Sequence, residues 1–182
     1  MDLAHRYRRE RRDFDRLEKV ETKLMATTAV SDSEKFILFE LINTTYGVRS
    51  SLVTRLEMVE NVTPVPNSPP SLEGIVLSRG RIIPAINLRA RFGFAKVPYD
   101  LRTRLIVVES GGRTVGLIVD AARDFITIST EDIKPPPESI ANLSADYLEG
   151  IATLNGRVVF ILRLDEILRT TDEVPSSAAK VS

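Results

Sequence analysis

The run Leu72-Glu73-Gly74-Ile75-Val76-Leu77-Ser78-Arg79-Gly80-Arg81-Ile82-Ile83 returns as Leu148-Glu149-Gly150-Ile151-Ala152-Thr153-Leu154-Asn155-Gly156-Arg157-Val158-Val159. Both copies continue to a leucine, Leu88 and Leu164, at the same offset. Each copy is an apolar run, a turn with glycine, and a second apolar run, which is the pattern of a β-hairpin. A repeat of this length fixes the architecture before any other feature does. It holds no catalytic side chain, so it reads as a duplicated scaffold and not as an active site.

The segments upstream of each hairpin match more loosely. Phe36-Ile37-Leu38-Phe39-Glu40 leads through Asn43-Thr44-Thr45 to Tyr46-Gly47-Val48, and Leu105-Ile106-Val107-Val108-Glu109 leads through Ser110-Gly111-Gly112 to Val115-Gly116-Leu117. Each is a short apolar strand, a polar turn, and a glycine inside a second strand, where glycine is expected to mark a bulge or sharp bend. Residues from about Glu34 to Phe94 and from Thr103 to Leu168 therefore read as two versions of one all-β unit. The expected division is 1–33 as a charged helical or disordered extension and linker, 34–100 as the first β unit, 101–170 as the second, and 171–182 as a disordered tail. Short helical turns are expected at Leu88–Phe94, ending at Gly93, and at Leu164–Leu168, with a capped turn over Ser129–Ile133. Either unit alone is near the size at which one core is marginal, so the two are expected to share buried surface.

Composition excludes several functions. The formal net charge of the 182 residues is zero, which gives no bulk attraction for nucleic acid. There is no cysteine, hence no disulfide framework, thiol nucleophile or thiolate metal site. The single histidine, His5, lies in the charged extension around Arg6-Tyr7-Arg8-Arg9-Glu10-Arg11-Arg12, so Ser-His and Cys-His nucleophilic systems cannot be built in the β region. No phosphate-binding or dinucleotide fingerprint is present, and Gly111-Gly112 belongs to a hairpin turn. No cofactor and no metal are expected. No apolar run reaches transmembrane length and no secretory leader opens the chain, so a cytoplasmic protein without direct membrane insertion is expected.

One asymmetry stands out inside the repeat. The turn Ser78-Arg79-Gly80-Arg81 carries an arginine at the position where the second copy has Asn155. Arginine combines directional hydrogen bonding with stem packing and is enriched at protein interfaces.

Leu72 to Arg89, including Pro84 and the Asn87-Leu88-Arg89 that closes it, resembles the signature of the chemotaxis coupling protein family CheW. Tyr46-Gly47-Val48, Val115-Gly116-Leu117-Ile118-Val119-Asp120 and Tyr147-Leu148-Glu149-Gly150-Ile151 resemble further stretches of that family, over about Lys35 to Arg169. The resemblance implies an all-β chain of two tandem SH3-like five-stranded β-barrel subdomains, divided as above. It also implies a non-enzymatic adaptor that bridges the cytoplasmic tips of chemoreceptors to the regulatory domain of a CheA-type histidine kinase, recruited to receptor arrays at the inner membrane. Receptors are expected in the groove between the barrels and the kinase at barrel ends. The family's turn arginine maps onto Arg79, the preceding glycine onto Gly74 and a groove valine onto Val53. Where the family often has an acidic residue, this chain has Arg55, with Glu57 nearby. The expected protein-binding residues are thus Arg79, Val53, Arg55, Gly74 and Gly80. Asn87 in place of an aspartate and Ala122 in place of a bulky apolar residue suggest a specialised or paralogous array. The alternatives are a CheW-like scaffold in another two-component pathway, such as motility or development, and a small-ligand or oligonucleotide-binding barrel.

Overall fold

A computed structural model describes residues 32–140 and 146–169. The expected N-terminal helix and C-terminal tail lie outside the described residues. Among the described residues ten strands form in chain order: β1 (Ser33–Leu41), β2 (Thr44–Arg49), β3 (Val53–Met58), β4 (Leu72–Ser78), β5 (Arg81–Asn87), β6 (Arg104–Ser110), β7 (Arg113–Val119), β8 (Ala121–Ser129), β9 (Leu148–Leu154) and β10 (Arg157–Leu162). Two short helices follow the repeated hairpins, α1 (Leu88–Arg91) and α2 (Leu164–Arg169). The strands build two five-stranded sheets, with orders β8-β1-β2-β10-β9 and β3-β6-β7-β5-β4.

These orders correct the expected division at residue 100. Advancing every strand of the first sheet by five places, cyclically, gives the second sheet. The duplication is therefore real, but its halves are interleaved. Each sheet takes two strands from one half and three from the other: β1 and β2 sit with β8, β9 and β10, while β6 and β7 sit with β3, β4 and β5. The links explain this. Only Asp120 lies between β7 and β8, and the shortest common hairpin loop needs two residues. The chain therefore runs on from β7 into the other sheet. The 3-10 turn Ser50–Leu52 does the same between β2 and β3. The halves are joined by two parallel seams, β2 with β10 and β5 with β7, in equivalent register: Gly47 faces Ile161 and Gly116 faces Ala85.

The continuous apolar runs follow from this layout, because β1 and β6 are covered on both faces. Phe36 and Leu38 enter a cluster with Ile128, Ala152, Val159 and Ile161, the private core of the first sheet. Leu105 and Val107 join Val76, Ile83, Ala85 and Ile118 in the private core of the second. The alternate residues Ile37, Phe39 and Leu41, with Ile106 and Val108, enter one large cluster that both sheets share, with Leu164, Ile167 and Leu168 of α2. The expected shared surface is this cluster.

Gly47 and Gly116 do not mark bulges. The β1–β2 and β6–β7 registers run through them without a shift. They are needed for close packing: a Cβ on Gly116 would stand 2.6 Å from Leu105 Cδ1, and one on Gly47 3.1 Å from Ile161 Cδ1. The register shifts fall elsewhere: between Ile37 and Phe39 in β1, Val53 and Arg55 in β3, Leu72 and Gly74 in β4, and Ile161 and Leu162 in β10. The expected helical turns form. Asn87 caps α1 by accepting from the Ala90 amide at 3.3 Å, and Gly93 turns the chain away at φ +78°. The turn after β8 is a 3-10 turn over Thr130–Asp132 without the expected side-chain cap.

Candidate partner-binding surface

The β4–β5 hairpin ends at Ser78 and Arg81, which face each other across the turn Arg79-Gly80. Both turn residues have positive φ, +47° and +79°, the geometry of a type I′ turn. Its repeat, Asn155-Gly156, has φ of +49° and +77°. Asparagine suits that first position because its side chain hydrogen-bonds locally, whereas arginine there bears the steric cost of the left-handed region. Arg79 is exposed and has no hydrogen bond or ion pair among the described residues. Behind it, the cross-strand pair Leu77 and Ile82 is 71% and 70% exposed. Isolated exposed apolar residues are ordinary, but two paired across a strand beside an unpaired arginine make a small amphipathic tip.

Two other expected site residues have different surroundings. On β3 the alternation is inverted. Leu56 and Met58 point outward and are exposed, while Arg55 and Glu57 turn inward and are partly buried. Arg55 Nε lies 2.9 Å from Glu57 Oε1, and Arg55 Nη2 donates to Ser78 Oγ at 2.9 Å. Ser78, only 2% exposed, donates to Glu57 at 3.0 Å. Inward charges on an edge strand protect it from pairing with another chain; here they also tie β3 to β4. Arg55 is therefore a compensated cation held behind the hairpin tip. Val53, opposite Val108, is partly buried against the shared core. Gly74 is buried, and a Cβ there would stand 2.2 Å from the Thr63 carbonyl oxygen. It makes room for the bridge between Thr63 and Ile75. Its repeat Gly150 lies in the same way under Lys134, where a Cβ would come 2.9 Å from the carbonyl oxygen. Gly80 is open to solvent and serves the turn.

Other charges are engaged in holding elements together. Arg89 makes a two-pronged pair with Asp120, at 2.6 Å for each arm, and Asp120 also accepts from the Ile42 amide at 2.9 Å. Burial raises the Asp120 carboxyl, but the bond to Arg89, the Ile42 amide and the Arg89 charge outweigh it and hold it below its ordinary value. Arg49 bridges Glu149 and Glu34; its bond to Glu149, then that to Glu34, raise it above the ordinary arginine value against the cost of burial. Among the described residues no group of acidic or histidine side chains is placed to hold a metal ion, and no helix is long and apolar enough to cross a membrane.

The tip was half legible. Arg79 shows in the sequence as a departure from its repeat, but Leu77 and Ile82 read as ordinary strand residues. The signal was Leu77 standing where the second copy has Thr153.

The family of the CheW-like domain matches residues 35–172 of the chain. The chain belongs to the CheW-like family. Among its CheW-like relatives, the chemotaxis protein CheW of Klebsiella aerogenes is 32% identical over 139 residues, covering 76% of this chain and 84% of that protein. Protein FrzA of Myxococcus xanthus is 26% identical over 139 residues, covering 75% of this chain and 86% of its own length. The crystal structure of the scaffolding protein TtCheW from Thermoanaerobacter tengcongensis superposes with a TM-score of 0.69 at 34% identity, over 74% of this chain and 92% of that one.

Proposed function

We propose that this CheW-like chain is a non-enzymatic chemotaxis adaptor that joins chemoreceptor tips to a CheA-type histidine kinase, with the β4–β5 hairpin tip as one contact surface. The observation that carries the reading is Arg79: an exposed, unpaired arginine in a strained turn position, flanked by exposed Leu77 and Ile82, on one half of the repeat only. A residue kept where its own repeat has a better turn former is retained for something outside the fold. The same tip supports a partner that offers a carboxylate beside an apolar surface. Arg55 contributes by orienting Glu57 and Ser78 behind the tip, and Val53 by lining the boundary of the shared core. Localisation at receptor arrays follows from these partners. The test is reconstitution: the chain is added to receptor tips and kinase, and kinase phosphorylation is followed. Kinase output should change with adaptor concentration while the adaptor itself consumes no substrate. Kinase output indifferent to the adaptor at saturating concentration would remove the reading. FrzA, a relative whose name does not mention chemotaxis, supports a second reading, the same scaffold in another two-component pathway; binding to receptor tips from different arrays separates the two.

A further inference from the structure

The repeat supplies an internal control for a cavity. In α2, Ile167 and Leu168 are buried and complete the shared core. Their counterparts after the first hairpin are Arg91 and Phe92, which are only partly buried. Val115, in the same cluster as Ile167 and Leu168, has Tyr46 as its counterpart, and Pro84 has Phe160. Where one half buries Ile167 and Leu168, the other has a half-open cavity of about 250 Å³ lined by Tyr46, Arg91, Phe92, Tyr147 and Phe160, among others. The rings form a connected wall: Tyr46 lies 5.7 Å from both Phe92 and Phe160, and Phe92 lies 5.5 Å from Tyr147, centre to centre. The Arg91 guanidinium carbon stands 5.1 Å from the Tyr147 ring centre. Arg91 Nε and Nη2 are shielded from solvent and have no hydrogen-bond partner among the described residues. No carboxylate is among the described residues that line the cavity.

Shielding two nitrogens of a guanidinium from water without partners for their N–H groups is costly. Packing does not require it, since the repeat closes the same position with isoleucine. We infer that the cavity binds a small aromatic or branched aliphatic carboxylate. The rings take the apolar body, and Arg91, turning on its flexible stem, receives the carboxylate in its two-pronged fork. This inference is independent of the adaptor reading.

Sodium 3-phenylpropionate and its neutral amide, titrated into the full chain, test it. The ring signals of Phe92 and Tyr147 and the melting temperature are followed together. The acid should saturate with Kd below about 1 mM, shift those rings and raise the melting temperature. The amide, which cannot form the charged fork, should bind at least about tenfold more weakly. Arg91→Ile, the residue of the repeat, should fold and bind the acid no better than the amide. Acid and amide binding equally, no saturation by the acid in that range, or undiminished acid binding by Arg91→Ile would each overturn the proposal. If Arg91→Ile does not fold, the acid–amide comparison on the unaltered chain decides alone.

Discussion

Arg79→Asn should make the protein more stable and a worse binder. The magnitude can be worked from the repeat. Arg79 and Asn155 occupy the same position of the same turn, with φ of +47° and +49°. A side chain in the left-handed region costs roughly 1–2 kcal/mol, and asparagine recovers part of this through its local hydrogen bond. Arg79 has no partner among the described residues to offset the loss. The exchange should therefore gain about 0.5–1 kcal/mol, or about 1–4 °C in melting temperature for a domain of this size. Association with receptor tips or kinase should weaken by about 1–2 kcal/mol, the usual range for an interfacial anchor. Urea unfolding gives the first quantity and calorimetric titration against each partner gives the second. Arg79→Ala isolates binding from turn geometry, since its melting should stay nearly unchanged. Asn155→Arg is the reciprocal exchange and should lose the stability without gaining affinity. Destabilisation by Arg79→Asn, or full binding by it, would refute the view that arginine is kept there at the expense of the fold.

The other predictions concern the frame around the tip. Gly74→Ala should cost at least about 2–3 kcal/mol, because the new Cβ meets backbone at 2.2 Å; Gly80→Ala, with open space around it but φ of +79°, should cost only about 1–2 kcal/mol, and denaturant midpoints compare them. Fragments 33–100 and 101–169 should each fail to fold alone and should reassemble when mixed, since each sheet draws strands from both; cooperative melting of either fragment alone counts against the exchange. Asp120 has a lowered carboxyl pKa in the folded state, so its contribution is present above the unfolded carboxylate range near 4 and is lost as pH falls through the folded value. Asp120→Asn should flatten the acid limb of the stability curve, and an unchanged limb would show that the Arg89 pair is not linked to folding. Arg55→Glu should destabilise by about 1–3 kcal/mol by setting two carboxylates together beside Ser78, whereas the reversed pair Arg55→Glu with Glu57→Arg should recover most of that. Equal binding of the reversed pair and the wild type to a panel of receptor tips would remove Arg55 from partner choice.

Some of this was legible in the sequence and some was not, for physical reasons. Hairpins, turns and the short helices are local, and glycine, asparagine and apolar alternation report them directly. Leu72–Ile83 and its copy therefore announce two hairpins without ambiguity. Which strand lies beside which is not local. The exchange of strands depends on links of one and three residues, Asp120 and Ser50–Leu52, whose brevity means little until pairing partners are known. Gly47 and Gly74 show the same limit. A glycine in a strand signals that something approaches closely, but only the fold reveals Ile161 over one and Thr63 over the other. Arg55 shows it for charge: the sequence presents a cation two residues from an anion, and only the inward turn of β3 makes them a pair around Ser78.

The interleaving bears on what an adaptor must do. A protein that holds two partners at a fixed relation needs its contact surfaces to be rigid with respect to each other. Two barrels joined end to end by a linker would move by default, since interfaces between successive domains are modest. Here the two barrels cannot separate without opening the cluster to which Ile37, Phe39, Ile106 and Val108 all belong, and neither half of the repeat can leave without breaking the parallel seams inside each barrel, β2 with β10 and β5 with β7. A load applied at the Arg79 tip in the second sheet passes along β5 into β7, and from there through Asp120 into β8 of the first sheet. Asp120 is the residue clamped by Arg89 at the end of that same β5 hairpin and by the Ile42 amide at the β1–β2 turn. The clamp thus binds the link between sheets to an element of each. Loosening it, as in Asp120→Asn, should weaken the mechanical connection between barrels while leaving the tip chemically intact. Coupling of receptor to kinase should then fall more than binding to either partner alone, and loss of binding in equal measure would show that the clamp serves the fold only.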